Sequence, residues 1–545
     1  MSRIEADVIR LLSHMPLIDR LEAVALSGWS RGAVYRAIES LEGEGLTASV
    51  THASALAPTT RRYRLTTAGL RRLAVEEGET VNGLLRGRPV SNQWLRVLME
   101  RLDAVGVVYR IASSVTTILF PLRLRWYRAM PMDAAIALPD GRVVAVVRQG
   151  MAADRTGFSK RLWRLTKGTQ PASALLLMPD EARLRHARRL LAGAPFPSYL
   201  ALERDATSAG AGAPVWRTPS GAAFLDLRTV LDYTGPQGPW PEEEPTARAS
   251  LPTDLDEEAG EDWMLPSQLK PVQKRALDLI ADWPWLSPAH LGAIMGLKRS
   301  RLSEVVLGLI VLGLALDTRI EGGRRLAATD RGLAMLARRD RASVGAARKR
   351  WSVAPLDDRA SLSWRNVSGK RSRQLLRNIE HTESVHAFVA ALARQARSRS
   401  REIVQIDPPR RASRYFRYDG WLRSIHPDAF GVLRWRQAVW SFFLEWERRA
   451  VRPVTMAARL APYLRYYSSR RPTDDHGARP FVLVVFHDEL ASTHFLRVAG
   501  EETARAGVDL PLLVSHRELV EREGPLGRAW FAPGVTEPTR AFGGR

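Results

Sequence analysis

With 81 Lys and Arg against 58 Asp and Glu over 545 residues, and a pI near 10.9, this chain carries a formal charge of +23. Such an excess points to a polyanionic partner, nucleic acid ahead of an acidic membrane surface, because the sequence has no lipidation motif and no apolar run of bilayer length. Cysteine is absent, which excludes disulfides, a Cys-type zinc site and a thiol nucleophile, and no signal peptide precedes Ile4, so a cytoplasmic protein without membrane insertion is expected.

The length sets an expectation of roughly three to five domains. From the N-terminus, helical periodicity gives helix, helix, a Gly-containing turn, a third helix, two short strands and a closing helix over residues 1–78, the pattern of a winged helix-turn-helix. Its third helix follows Ser30, buries Val34, Ile38 and Leu41, and turns Arg31, Tyr35 and Arg36 outward. Arg61 and Arg62 lie in the wing, where arginines suit phosphates. Residues 79–235 read as an α/β domain. Asp133-Ala134 opens a hairpin that turns at Asp140-Gly141, Val143 to Val147 form the next strand, and Gln149 and Arg161 follow. Residues 236–266 hold nine acids and one arginine among prolines and glycines, a local charge of −8 that leaves +31 for the remainder, and read as an acidic solvated linker.

The pattern then repeats. Sliding the chain by 268 positions lays Ile4 to Leu46 on Val272 to Leu314 without a gap, Gly28 meeting Gly296 and Arg31 meeting Arg299. Residues 267–345 therefore read as a second winged helix-turn-helix, with Lys298, Arg299, Ser300 and Arg301 leading its third helix and Arg324 and Arg325 in its wing. Residues 346–545 read as a second α/β domain. Here Asp419-Gly420 stands opposite Asp133-Ala134, Glu445 opposite Val147, Glu447 opposite Gln149, and Arg459 opposite Arg161. Strand alternation puts Glu445 and Glu447 on one face, and a turn near His426-Pro427-Asp428 is expected to bring Asp419 beside them. Acids gathered against apolar walls are the donor set of a Mg²⁺ or Mn²⁺ nuclease site, with Asp419 and Glu445 as metal ligands and Asp419, Glu445 and Glu447 as catalytic residues. Arg410, Arg411 and Arg414 precede the site and are expected to steer a phosphate backbone to it. Tyr466 and Tyr467 are read as core residues before nucleophiles, and no phosphate loop or dinucleotide motif is present.

The run Asp419-Gly420, an aromatic-rich strand ending Leu444-Glu445-Trp446-Glu447-Arg448, and a helix with Leu460, Tyr463 and Tyr466 resembles the replication-relaxation family of plasmids and conjugative elements. Ile379-Glu380-His381-Thr382 resembles that family's helix start. The family usually has Pro before the Asp, where this chain has Tyr418, and often Lys at the position of Arg459, which the resemblance implies as a further catalytic residue. The resemblance implies a winged helix-turn-helix followed by a restriction-endonuclease-like α/β domain, and the internal repeat makes this two tandem units, the first degenerate. It further implies a relaxase-like or replication-associated protein of a mobile element, bound to double-stranded DNA or a single-stranded region at an origin. Protein partners of a replication or transfer complex and metal-dependent nicking in the C-terminal domain would follow. The alternative is a non-catalytic DNA-binding adaptor or a transcriptional regulator with two nuclease-like scaffold domains.

Overall fold

The computed structural model describes residues 1–152, 155–236, 240–244, 249–255, 260–447 and 453–543, a mixed α/β chain that divides into two units. Unit 1 comprises Met1–Lys274 and Ala334–Ala347, and unit 2 comprises Arg275–Leu333 and Arg348–Arg545. No helix among the described residues is long and apolar enough to cross a membrane.

Unit 1 begins with α1 (Arg3–His14), α2 (Arg20–Ser27) and α3 (Arg31–Gly43), then a hairpin of β1 (Thr47–Ser54) and β2 (Ala57–Leu65), then α4 (Thr67–Glu77). The local chemistry accounts for these boundaries. Asp19 and Glu22 cap α2 reciprocally, Gly28 ends it at φ +73°, and Ser30 accepts the Ala33 amide to start α3. Val34, Ala37, Ile38 and Leu41 form the buried stripe of α3. After α5 (Leu102–Thr116) come β3 (Arg123–Trp126), β4 (Ala134–Ala137), β5 (Val143–Arg148), α6 (Arg155–Lys167), β6 (Ser173–Met178), α7 (Glu181–Leu191) and β7 (Ser198–Leu202). The five strands form one sheet in that order, antiparallel across β3, β4 and β5 and parallel across β5, β6 and β7. Its core strands bury both faces: Val144, Val146, Leu175 and Leu177 pack into one cluster, and Val143, Ala145, Val147, Leu176 and Met178 into another. A strand buried on both sides needs an unbroken apolar run, and Val143-Val-Ala-Val-Val supplies it, each large side chain contributing about 1.5–3 kcal/mol.

The described part of the acidic linker is not a free spacer. Glu243 accepts the Arg128 and Met130 amides, the Thr253 carbonyl accepts from Arg64, and Leu251 and Leu255 pack on the unit 1 core. Carboxylate caps and two apolar anchors outweigh the tendency of its composition to stay solvated. The stretches 237–239, 245–248 and 256–259 lie outside the described residues.

In unit 2, α8 (Pro271–Asp282, of which residues 275–282 belong here), α9 (Pro288–Met295), α10 (Arg299–Val311), β8 (Ala315–Ile320), β9 (Gly323–Ala328) and α11 (Asp330–Arg339) follow the element order of the N-terminal helices. Both α8 and α11 are divided between the units. Next come α12 (Ile379–Ser398), β10 (Glu402–Asp407), β11 (Arg414–Tyr418), β12 (Trp421–Ile425), β13 (Ala429–Trp435), β14 (Ala438–Trp446), α13 (Pro453–Tyr467), β15 (Phe481–Phe486), α14 (Glu489–Ala506) and β16 (Leu512–His516). The main sheet has the order β10, β13, β14, β15, β16, antiparallel for the first three strands and parallel for the last three. The two-stranded sheet of β11 and β12 stands apart from it.

Candidate active site

Strand β14 is the central strand of the unit 2 sheet, and its last residues carry the acids. Ala429 pairs with Leu444, which sets Asp428, the residue just before β13, beside the end of β14. The Asp428 amide donates to the Leu444 carbonyl at 2.8 Å, and its Oδ2 accepts the Trp446 amide at 2.8 Å. Its Oδ1 lies 2.9 Å from Nε2 of His381, on the first turn of α12. Alternation places Trp446 on the face where Phe388 packs, and Glu445 on the opposite face beneath α13. There Tyr463 donates its hydroxyl to Glu445 Oε1 at 2.5 Å. Arg459, one turn earlier, is half exposed and pairs with Glu447. These groups line a cavity of about 720 Å³, together with Asn378, Ser424 and His426. Glu445 and Trp446 reach it from the carboxyl end of the central strand, and Val482 and Val484 from the next one.

The electrostatics mark Glu445. Burial, and then the charge of Asp428, pushes its carboxyl up to about 8, against smaller downward pulls from Tyr463 and Arg459. Burial and Glu445 together raise the Tyr463 hydroxyl well above its ordinary value. Among the described residues neither Asp428 nor Glu445 accepts an ion pair from Arg or Lys, and no group of three or more His, Asp or Glu side chains closes into a metal cage.

Unit 1 has the same backbone arrangement with different side chains. Asp133 precedes β4, donates its amide to the Val146 carbonyl at 2.9 Å and accepts the Arg148 amide on Oδ2 at 2.7 Å. Register therefore puts Val147 and Gln149 where unit 2 has Glu445 and Glu447, and both are fully buried. The carboxylate of Asp133 is taken up by two guanidinium groups, Arg161 on Oδ2 and Arg341 on Oδ1, each at 3.0 Å. Burial alone would raise its pKa, but Arg161, Arg341 and the Arg148 amide hold it far below the usual carboxylate range.

Several expected site residues are placed elsewhere. Asp419 is not beside Glu445. It forms, with Gly420, the exposed two-residue turn of β11 and β12, at φ +48° and +75°, and does not line the cavity. Two consecutive left-handed residues are what an Asp-Gly hairpin turn requires, so the dipeptide is turn chemistry. Residues 426–428, expected as that turn, instead join β12 to β13, and the strand-opening acid is Asp428. The signal for it was Pro427-Asp428 at the start of an apolar strand.

The basic residues divide by exposure. Arg31, Arg36, Lys298, Arg299, Ser300 and Arg301 are exposed, and Tyr35 is half-buried with Arg31 stacked over it at 5.2 Å. Arg61 and Arg324 are exposed but engage Glu42 and Asp317, and Arg410 engages Asp282. Arg62, Arg325, Arg411 and Arg414 are internal, contrary to expectation. Arg62 pairs with Glu22, Arg325 with Glu383, and Arg411 with Asp407 and Asp282; Arg414 donates to the Arg411 and Ala412 carbonyls and lies over Phe430. A buried guanidinium must be matched locally, so these four serve folding and offer nothing to a phosphate. Tyr466 and Tyr467 are core residues, bonded to Asp475 and to the Pro480 carbonyl.

Compared with models of protein families, with curated proteins and with solved structures, the chain matches none.

Proposed function

We propose that this chain is a DNA-binding protein whose unit 2 carries out metal-dependent cleavage of one strand, in the manner of the relaxase-like and replication-associated proteins of mobile elements. The observation that carries the reading is the pair Asp428 and Glu445, two acids forced together in an open cavity at the end of a central strand. An acid pair of this kind is costly unless a proton, a cation or a substrate uses it. Two carboxylates are the oxygen donors a hard divalent cation takes: Asp428 and Glu445 would hold it, and when bound it would supply the positive charge that polarises a phosphodiester. The protein's own groups set the stage. His381 fixes one oxygen of Asp428, Tyr463 orients Glu445, and Arg459 at the mouth faces the solvent from which a polyanion arrives.

On this reading the helices α1 to α4 and α8 to α11, each set with its hairpin, are winged helix-turn-helix modules, and the chain is a tandem duplication whose first nuclease-like copy is a scaffold. The exposed residues Arg31, Arg36, Lys298, Arg299 and Arg301 would meet the duplex. The test is nicking of supercoiled plasmid with Mg²⁺ or Mn²⁺. Wild type and Asp419→Asn nick; Asp428→Asn and Glu445→Gln do not, while retaining DNA affinity. Normal nicking by Glu445→Gln, or none by wild type on its own element's DNA, would leave the adaptor reading.

A further inference from the structure

Beside the cavity stands the hairpin of β11 and β12, and its surface is not that of an ordinary edge. Its base is anchored: Phe416 and Ile425 are each 1 % exposed, and Phe416 packs edge-on against Tyr466 at 5.2 Å. Ser424 and Ile425, at that base, line the cavity, as does His426, which bonds to the Ser413 and Ser424 hydroxyls. Beyond the base the side chains open to solvent. Trp421 and Leu422 are each 70 % exposed, with Arg417 and Arg423 exposed among them, whereas Tyr415, paired with Ser424 at the base, stands edge-on to His426 at 5.9 Å. Tyr418 pairs with Trp421, Arg417 with Leu422 and Phe416 with Arg423 across the ladder, so Tyr418, Trp421 and Arg423 share one face and Tyr415, Arg417 and Leu422 the other. Strand geometry sets Trp421 roughly 13 Å along β12 from Ile425 at the cavity wall.

We propose that this hairpin binds unpaired nucleotides, holding a single-stranded segment by base stacking on Trp421 and by phosphate contact to Arg423 on the same face. The inference rests on the reading of the cavity as a phosphodiester site and names the form of its substrate. Exposed aromatic faces have no use for a continuous duplex, whose bases already stack on one another, whereas an unpaired base gains a platform. Arg423 beside Trp421 selects a polyanion over a neutral apolar partner. The substrate is therefore a junction or melted region, with duplex on one side and a strand lying on the hairpin.

The experiment is fluorescence anisotropy in EDTA, so that cleavage plays no part, with the full chain titrated onto labelled oligo(dT) and onto a blunt duplex of equal length. Trp421→Ala should weaken oligo(dT) binding by roughly tenfold to a hundredfold while changing duplex affinity little, with Trp421→Phe close to wild type. The side chain is exposed, so folding is not at issue. If Trp421→Ala leaves oligo(dT) binding unchanged, or weakens both ligands alike, the inference is overturned. It is likewise overturned if sedimentation shows a dimer of this chain that Trp421→Ala dissolves, since the hairpin would then be a self-association surface. Wild type binding neither oligonucleotide would sink the DNA reading itself, a result distinct from failure of the hairpin alone.

Discussion

Asp133 and Asp428 occupy the same place in two similar sheets. Each opens a strand, and each accepts an amide from the neighbouring central strand at nearly the same distance. What surrounds them is opposite. Around Asp133 the position two strands' width of chemistry turns on is Val147, packed into core, and two arginines close over the carboxylate. Around Asp428 that position is Glu445, His381 bonds one carboxylate oxygen, and Arg459, whose charge acts on Glu445, is engaged with Glu447. The backbone can thus be kept while the site is either sealed as a buried ion pair or left as an acid pair that something else must satisfy. Sealing favours folding, because a buried carboxylate matched by guanidinium groups no longer needs a ligand. Leaving it open costs stability and supplies a place for chemistry.

The comparison can be broken most forcefully at the acids. Asp428→Asn should lower nicking by about two orders of magnitude or more, whereas Asp133→Asn should leave nicking untouched, as read on supercoiled plasmid. Stability should move the other way. Asp133→Asn strands Arg161 and Arg341 and should cost about 3 kcal/mol in denaturant unfolding. Glu445→Val, which writes the unit 1 solution into unit 2, should stabilise that unit by about 1–3 kcal/mol while abolishing cleavage; a destabilised Glu445→Val protein would contradict the claim that the acid is under strain.

The pH dependence sharpens the contrast, because the two shifts have opposite signs. Asp133 has a depressed pKa in the folded state, so its contribution is present above its ordinary value of 3.8 and is lost as pH falls below it. Glu445 has a raised pKa, so the folded state holds a proton that the unfolded state has released. Stability should fall as pH rises from 4.5 toward about 8, and Glu445→Gln should flatten that decline. Thermal unfolding of wild type and variant across that window reads both. The smallest effects belong to the basic residues: removing exposed Arg299 should weaken DNA binding modestly and reduce its salt dependence, while Arg62→Ala should unfold unit 1 locally and leave the salt slope unchanged.

Much of the scaffold was legible because it is written locally. Ser30 and Gly28 bound the third helix, the run from Val143 marks a two-faced strand, and the match of Val147 with Glu445 came from pattern alone, whereas Asp133, set opposite Asp419 in the sequence, takes by register the place of Asp428. The acid beside Glu445 was missed because Asp419-Gly420 and Pro427-Asp428 offer similar text, and only the turn geometry separates them. The arginine pairs were overread for a reason available in the sequence. Neighbours on a strand point to opposite faces, so Arg61 and Arg324 face solvent only if Arg62 and Arg325 face inward. The closing of Asp133 by Arg341 had no such signal, since the partners lie 208 residues apart and nothing in either segment points to the other.

The most direct measurement is the number and location of divalent cations bound, by electron paramagnetic resonance of Mn²⁺ titrated into the full chain. The account predicts one tight ion per chain in wild type and in Asp133→Asn, and none in Asp428→Asn or Glu445→Gln. An ion that survives Asp428→Asn, or one that is lost with Asp133, would contradict the assignment of the open site to unit 2.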